Sequence, residues 1–227
     1  MKDTKKKHRG ARGYGGYDRR TLGDIEEYLS AEEIFTLVKT KTWNYKDDET
    51  RDLHIARDRA LMAIDFVGAF RNNEPLKSLT KENFEDKGNW LVLHRGRISK
   101  RSKKLIAKSG AKVTIRTDIS FPKFTHPLQP FTDLVLTYLD MLSSKEYLFD
   151  FKQRRHHQIV REVTGKWPHW LRSMGENWYG KNIFVNDGTN LAKFIGVVNV
   201  QSIMPYVGFD EASYLERMKA ASQSDRK

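Results

Sequence analysis

The stretch "KWPHWLRSMGENWYG" at residues 166–180 places His169 and Arg172 three positions apart, directly after Pro168. Residues at this spacing share one face of a helix, and proline is favoured in the first helical turn, where its missing N–H costs nothing. An imidazole beside a guanidinium near a helix N-terminus would suit a phosphate group, because the guanidinium forks onto two oxygens and the helix dipole favours an anion. Taken alone, such a pair is more often a solvated helix face or a local cap.

A second arginine stands where chemistry could be done, about a hundred residues earlier. Arg71 follows the apolar run "FVGAF" at residues 66–70, and Glu74 comes three positions later. An arginine just past a nearly apolar helix is held rigidly, with its planar fork directed out of the core. By itself it is more often one half of a structural ion pair with Glu74.

A tyrosine completes the set of candidate residues. The segment "LAKFIGVVNVQSIMPYVGF" at residues 191–209 places Tyr206 near the end of a short amphipathic stretch. Taken alone, such a tyrosine is more often buried on a helix.

Together these stretches resemble the catalytic domain of the tyrosine recombinases, the integrase family of phages, archaeal viruses and chromosome-dimer resolvases. Residues 57–84 are similar to the box that carries the first catalytic arginine, with Arg71 at that position and Glu74 at the companion acidic position. "PHWLR" matches the His-x-x-Arg of the second box, and "FIGVVNVQSIMPYVGF" resembles the segment that ends in the nucleophilic tyrosine, Tyr206. Each box is weak alone, but their order and spacing over residues 30–221 make the resemblance specific.

The resemblance implies a mainly α fold with a small antiparallel β-sheet (α+β), the tyrosine-recombinase catalytic-domain fold. It also implies a catalytic lysine in the turn of that sheet. The corresponding loop here is "RISKRSKKLIAKSG" at residues 97–110, which is longer than the family's usual turn. Lys100 is the best candidate, with Lys103 and Lys104 as competitors.

The chemistry implied is site-specific cleavage and rejoining of DNA strands through a 3′-phosphotyrosine intermediate, without a metal or any other cofactor. Tyr206 would attack the phosphorus, while Arg71 and Arg172 would clamp the non-bridging oxygens. His169 would bond the phosphate or assist proton transfer at the tyrosine. Lys100 would protonate the leaving 5′ oxygen. The absence of a glycine-rich phosphate loop and of a carboxylate cluster agrees with this scheme.

Two departures from the family pattern bear on activity. The family often has a histidine or tryptophan after the glycine of the turn that precedes the nucleophile, where it supports the scissile phosphate. Here the turn is "FIGVV" and Val197 stands at that position. Most members also carry an N-terminal clamp domain of roughly a hundred residues, whereas some thirty residues precede the first predicted helix here. We therefore expect a minimal, archaeal-virus-like member or a catalytic domain that relies on its arm.

Several elements must position these side chains. Ser30 and Glu33 form a capping-box pattern at the start of a predicted helix over residues 31–40, and a second helix is predicted over 53–70 after a polar loop at 44–52. "NWLVLHRG" at 89–96 and "AKVTIRTDIS" at 111–120 are predicted strands, since both are rich in β-branched residues. Further helices are predicted over 130–142, 152–164, 168–179, 188–196, 199–207 and 210–221.

The charge balance favours a polyanionic partner. Lys and Arg number 41 against 29 Asp and Glu, giving a net charge of +12 and a pI near 9.7, so double-stranded DNA is the expected partner. Residues 1–20 are predicted to form a disordered basic arm that contacts phosphates, 21–221 the catalytic domain, and 222–227 a disordered tail. A solvated arm without a role is the alternative. The basic residues expected to contact DNA are Lys5, Lys6, Lys7, Arg9, Arg12, Arg97, Arg101, Lys103 and Lys104.

Composition narrows the remaining classes. The chain has no cysteine, which rules out disulfides, cysteine nucleophiles and zinc fingers. No apolar run approaches the ~20 residues that span a bilayer, and no secretory signal is recognisable. We expect a DNA-associated protein of the cytoplasm, encoded by a virus or mobile element, that assembles into dimers or tetramers on DNA. The alternatives are a DNA-binding protein on the same scaffold that no longer recombines, and a basic RNA-associated structural protein.

Overall fold

The computed structural model describes residues 28–72, 74–94, 118–143, 146–185 and 187–196. Arg71, Glu74, His169 and Arg172 lie within these ranges. The other predicted site residues lie outside them: Lys100, Val197, Tyr206, and every basic residue expected to contact DNA. The same holds for the predicted arm, the tail and the predicted helices over 199–207 and 210–221.

The first helix, α1, spans Ala31–Thr40 and confirms the capping box. The Glu33 backbone N–H donates to Ser30 Oγ over 3.2 Å, and the Ser30 N–H donates to Glu33 Oε2 over 2.7 Å. Two otherwise unpaired helix-end donors are satisfied in this way. The buried side of α1 carries Ile34 and Val38.

The second helix, α2, spans Asp48–Gly68 and begins five residues before the predicted start. The prediction took its polar first turn for a loop. Asp47 caps this turn by accepting from the Glu49 N–H over 3.1 Å, and acidic residues are favoured there because they complement the helix dipole. The helix ends as Ala69 adopts a left-handed conformation with φ of 45°, so Arg71 follows just past its C-terminus.

A small antiparallel sheet follows, with strands β1 (Phe84–Asp86), β2 (Trp90–Leu93) and β3 (Ile119–Pro122) in the order β1-β2-β3. β2 and β3 confirm parts of the two predicted strands. The sequence did not predict β1, because a polar three-residue strand after a 3₁₀ turn at Lys81–Asn83 shows no alternation. Leu93 of β2 pairs with Ile119 of β3. Residues 95–117, which include the predicted basic loop at 97–110, lie outside the described residues.

Four further helices confirm the predicted helical second half. They are α3 (Gln129–Asp140), α4 (Gln153–Thr164), α5 (Pro168–Asn182) and α6 (Gly188–Ile195). Pro168 occupies the first position of α5, as predicted. No described helix is both long enough and apolar enough to cross a membrane. The fold class is therefore the predicted one, mainly α with a small antiparallel sheet.

The core is built around α2, whose second half is buried on every side. It packs against α3, where the rings of Phe66 and Phe131 lie 4.9 Å apart, and against α5. The approach to α5 is very close, since a Cβ placed on Gly175 would lie 2.1 Å from the Phe66 carbonyl oxygen. Only glycine permits this approach, and it brings the first half of α5 beside the C-terminal end of α2.

Candidate functional site

Arg71 stands on the turn after α2, and Glu74 holds it there. The Arg71 backbone N–H donates to Glu74 Oε2 over 2.7 Å, and its Nη1 lies 3.4 Å from Glu74 Oε1. The Glu74 side chain is buried, whereas that of Arg71 is 35% exposed. The predicted ion pair is thus present, and its contacts restrain the main chain of Arg71 more tightly than its guanidinium.

Arg172 reaches the same turn from α5. Its Nη1 donates to the Ala69 carbonyl oxygen over 2.6 Å, and its Nη2 lies 2.6 Å from Glu176 Oε1. Both side chains of this ion pair are 5% exposed. The Ala69 contact joins residues 103 apart in the sequence. Because Ala69 is two positions before Arg71, the contact brings Arg172 to the turn that carries Arg71.

His169 occupies the second position of α5, one turn before Arg172. Desolvation, and after it the positive charges of Arg172 and Arg71, lower the pKa of His169. Because His169 is exposed to solvent, we attribute the lowered pKa mainly to the two like charges. His169 is therefore mostly neutral at pH 7, and its ring can accept a proton.

The three basic side chains share one electrostatic neighbourhood. Desolvation and then the charge of Arg172 lower the pKa of Arg71, which Glu74 and Glu176 oppose. Like charges held together in a partly dehydrated place attract an anion, and two guanidiniums suit the oxygens of a phosphate. A guanidinium has five N–H donors, and in Arg71 the contact of Nη1 with Glu74 uses one of them. Arg71 thus retains capacity for a ligand.

Sequence reasoning missed two kinds of support around this site. Glu176 is four residues after Arg172 on α5, a spacing that could have predicted the pair. His156 on α4 contacts the Arg71 turn from behind, with Nδ1 2.7 Å from the Asn72 carbonyl oxygen. No sequence signal indicated that second contact, because it depends on how α4 packs. Within the described ranges, no group of His, Asp and Glu side chains could hold a metal ion.

Comparison with known proteins gives a likeness in structure alone. No family model matches the sequence, and no curated protein matches it. A XerH site-specific recombinase bound to palindromic difH substrate, in a post-cleavage complex, matches with a TM-score of 0.53 and 14% identity over 88% of this chain. A pre-cleavage XerH complex with difH substrate matches with a TM-score of 0.49 and 16% identity over 86% of this chain.

The chain has the fold of a tyrosine recombinase. It spans 53% of the length of each XerH chain that it matches. At 14% identity the likeness concerns the fold and not the chemistry. Along the chain, Arg71 follows α2, the sheet comes next, and His169 and Arg172 lie on α5.

Proposed function

We propose that this protein is a site-specific DNA recombinase that cleaves and rejoins DNA strands through a 3′-phosphotyrosine intermediate. The observation that carries the proposal is the meeting of Arg71 and Arg172 at the end of α2, joined by the Arg172–Ala69 hydrogen bond of 2.6 Å. The recombinase fold adds support, because XerH is itself a site-specific recombinase seen on its difH substrate. Neither a metal nor a nucleotide enters the scheme.

In this scheme the scissile phosphate binds against Arg71, Arg172 and His169. The Tyr206 oxygen attacks phosphorus as its proton passes to His169, which the lowered pKa keeps neutral and able to accept it. The bond to the 5′ oxygen breaks, and Lys100 supplies the proton that this oxygen takes up. The arginines stabilise the charge that develops on the non-bridging oxygens. Attack by a 5′ hydroxyl on the phosphotyrosine reverses these steps and reseals the strand.

Two further residues have supporting roles in the proposal. Glu74 orients Arg71 through its backbone N–H contact of 2.7 Å. Val197 takes the place where other members of the family often have a histidine or tryptophan at the phosphate. A valine cannot donate a hydrogen bond, so we expect cleavage to be slower than in members that have the polar residue.

The remaining parts of the proposal concern partners. Double-stranded DNA is the substrate, and recombination between two sites requires protomers to assemble as dimers or tetramers on it. Residues 1–20, together with Arg97, Arg101, Lys103 and Lys104, would contact phosphates and leave the choice of sequence to other residues. We also propose that the protein works on DNA in the cytoplasm and is encoded by a virus or mobile element.

A non-catalytic DNA-binding role on the same fold is the second candidate. One observation favours it, namely that both terminal nitrogens of Arg172 already contact Ala69 and Glu176, with its side chain 5% exposed. If this arrangement persists on DNA, Arg172 holds the fold and reaches the phosphate poorly. The site then binds a phosphate without breaking its ester.

Covalent trapping separates these roles. The full chain is incubated with a library of randomised duplexes, each carrying a nick so that the short cleaved fragment diffuses away and religation fails. Adducts that survive denaturation are captured and sequenced. We expect a recurring sequence to be enriched among adducts linked at a 3′ phosphate. Duplex binding without any adduct would favour the non-catalytic role, and preference for RNA over duplex DNA would contradict both.

A further inference from the structure

A buried acid–base pair lies behind the Arg71 turn, and the proposed reaction does not use it. His156 on α4 and Asp65 on α2 are 0% and 1% exposed. The Nε2 of His156 contacts Asp65 Oδ2, and its Nδ1 lies 2.7 Å from the Asn72 carbonyl oxygen. A carbonyl oxygen only accepts hydrogen bonds, so Nδ1 carries a proton and donates a hydrogen bond to the Asn72 carbonyl oxygen.

Stability does not explain this pair. A buried ion pair costs two desolvations, and well-packed apolar residues of similar volume often serve as well. Within the described part of the chain, Asp65 Oδ1 has no hydrogen-bond partner, which makes the burial of this carboxylate more costly still. What an apolar pair could not do is donate a hydrogen bond to the Asn72 carbonyl.

That carbonyl belongs to a turn held from three directions. Arg172 donates to the Ala69 carbonyl over 2.6 Å, the Arg71 N–H donates to Glu74 over 2.7 Å, and His156 engages Asn72. The first two contacts come from residues of the candidate site itself. The third comes from α4, which also meets the Asn72 side chain through His157, with Nδ2 and Nε2 3.0 Å apart.

We propose that His156, oriented by Asp65, is a positioning residue for Arg71. By fixing the carbonyl of the residue after Arg71, it sets the direction in which the Arg71 guanidinium leaves the turn. The consequence for DNA cleavage rests on the proposed function, whereas the effect on Arg71 does not. Misplacing a phosphate-binding group by about 1 Å can slow a reaction about a hundredfold.

The pair also gives the positioning a pH dependence. Desolvation alone would lower the pKa of His156, but the charge and hydrogen bond of Asp65, with the bond to Asn72, outweigh it and raise that pKa. Burial raises the pKa of Asp65, with the charge of Glu74 adding and those of His156 and Arg172 opposing. Among the described residues, a further titratable neighbour of His156 is His157, whose ring centroid lies 6.4 Å away.

The sign of the pH effect follows from the geometry. Above the raised pKa of His156, the neutral ring that still donates from Nδ1 to Asn72 presents the lone pair of Nε2 to the Asp65 carboxylate. These two acceptors repel each other in a buried place. The rate of covalent trapping should therefore fall as pH rises through the raised pKa of His156. This decline adds to any pH dependence that the residues at the phosphate produce.

Two variants and a control test the role. In Asp65→Asn the new amide can donate to His156 Nε2, so the neutral ring keeps its hydrogen bond to Asn72. We therefore expect a trapping rate within about threefold of wild type. The alkaline decline that comes from this pair should be absent. D65L/H156F removes both polar groups together and leaves no lone buried charge. It should trap at least about tenfold more slowly, with duplex affinity changed less than about twofold. Gln158→Ala, on the exposed side of α4, should behave as wild type.

A measurement independent of catalysis separates this proposal from the proposed function. The Nε–Hε resonance of Arg71, assigned by its loss in Arg71→Lys, should shift in D65L/H156F and stay in place in Gln158→Ala. If wild type traps no DNA while this resonance shifts, the positioning role stands and the recombinase assignment fails. An unmoved resonance, or wild-type trapping rates in D65L/H156F, overturns the positioning role. Should that double variant not fold, an alkaline decline that persists unchanged in Asp65→Asn overturns it instead.

Discussion

The Nη1 of Arg172 donates a hydrogen bond to the main-chain carbonyl oxygen of Ala69 over 2.6 Å. This contact ties α5 to the left-handed residue that ends α2, two positions before Arg71. The same guanidinium pairs with Glu176, and both side chains are almost completely buried. Arg172 thus stabilises the packing of α5 on α2 and is also the candidate ligand of a phosphate. Substituting Arg172 should therefore have separate effects on stability and on chemistry.

Replacing Arg172 alone should be much worse for the fold than replacing the pair. Arg172→Ala removes the Arg172 guanidinium from the buried Glu176 carboxylate, and we expect a loss of about 3–5 kcal/mol in the free energy of unfolding. Arg172→Met with Glu176→Leu should lose clearly less, because no buried charge remains. Urea denaturation measures both. Equal losses of unfolding free energy in the two variants would show that other groups satisfy the Glu176 carboxylate. DNA cleavage should be absent in both variants.

Gly175→Ala should be destabilising, against the usual rule for helices. In an exposed helix interior this change gains about 0.5–1 kcal/mol, but here the new Cβ would lie 2.1 Å from the Phe66 carbonyl oxygen. Separating α5 from α2 should cost about 1–3 kcal/mol and weaken the Arg172–Ala69 contact. Asn182→Ala, on the exposed end of the same helix, is the control. A Gly175→Ala protein as stable as wild type would contradict the close approach of the two helices.

Tyr206→Phe should abolish covalent trapping on nicked duplexes while leaving DNA affinity within about 1 kcal/mol, since one hydroxyl adds little to an interface dominated by phosphates. Tyr179→Phe and Tyr214→Phe serve as matched controls. Tyr179 is buried, with its ring 4.4 Å from that of Phe194, so it serves packing. Trapping that survives Tyr206→Phe but is lost in either control variant would move the nucleophile to that control position.

The lowered pKa of His169 predicts an acid limb in the trapping rate. Desolvation and the charges of Arg172 and Arg71 keep the folded value below 6.5, so the ring stays neutral near pH 7 and accepts the tyrosine proton. As pH falls through the lowered pKa the ring becomes charged, and the rate should fall with it. His169→Gln should be slow and should lack this limb. A limb that persists in His169→Gln would assign it to another group.

The same shift has a consequence for stability. The unfolded chain takes up a proton on His169 at a higher pH than the folded chain, so the stability of the fold should fall as pH drops from about 6.5 through the lowered pKa. Urea midpoints of wild type and His169→Gln should therefore converge or cross between about pH 7.5 and about pH 5.5. Parallel midpoints across this range would show that the arginines do not act on His169.

Deleting residues 1–20 should weaken binding to every duplex and flatten its salt dependence. Each phosphate contact that is lost should reduce the slope of log affinity against log salt by about 0.9. Titrations of the shortened and full chains against two unrelated duplexes, at several salt concentrations, test this. Loss of affinity for one duplex alone would show that the arm reads sequence.

Local patterns in the sequence were enough to predict most of the helices among the described residues. The capping box at Ser30, the proline at the start of α5 and the His-x-x-Arg spacing each act within one or two helical turns, and the structure retains all three. The β-rich composition predicted two strands for the same reason. The polar first turn of α2 and the three-residue β1 were not predicted. The first depends on the cap at Asp47 and the second on pairing with β2, and neither shows a periodic pattern.

Only the tertiary structure decided how the side chains of the candidate site are oriented and which groups hold them. The helical period places His169 and Arg172 on one side of α5, but the close packing at Gly175 buries Arg172 against α2 while His169 remains exposed. The contact of His156 with Asp65 joins residues 91 apart in the sequence. Local propensity reaches a few residues along the chain, whereas the packing of α2, α4 and α5 decides which distant groups meet in the core. Such contacts therefore leave no pattern that can be read along one stretch of sequence.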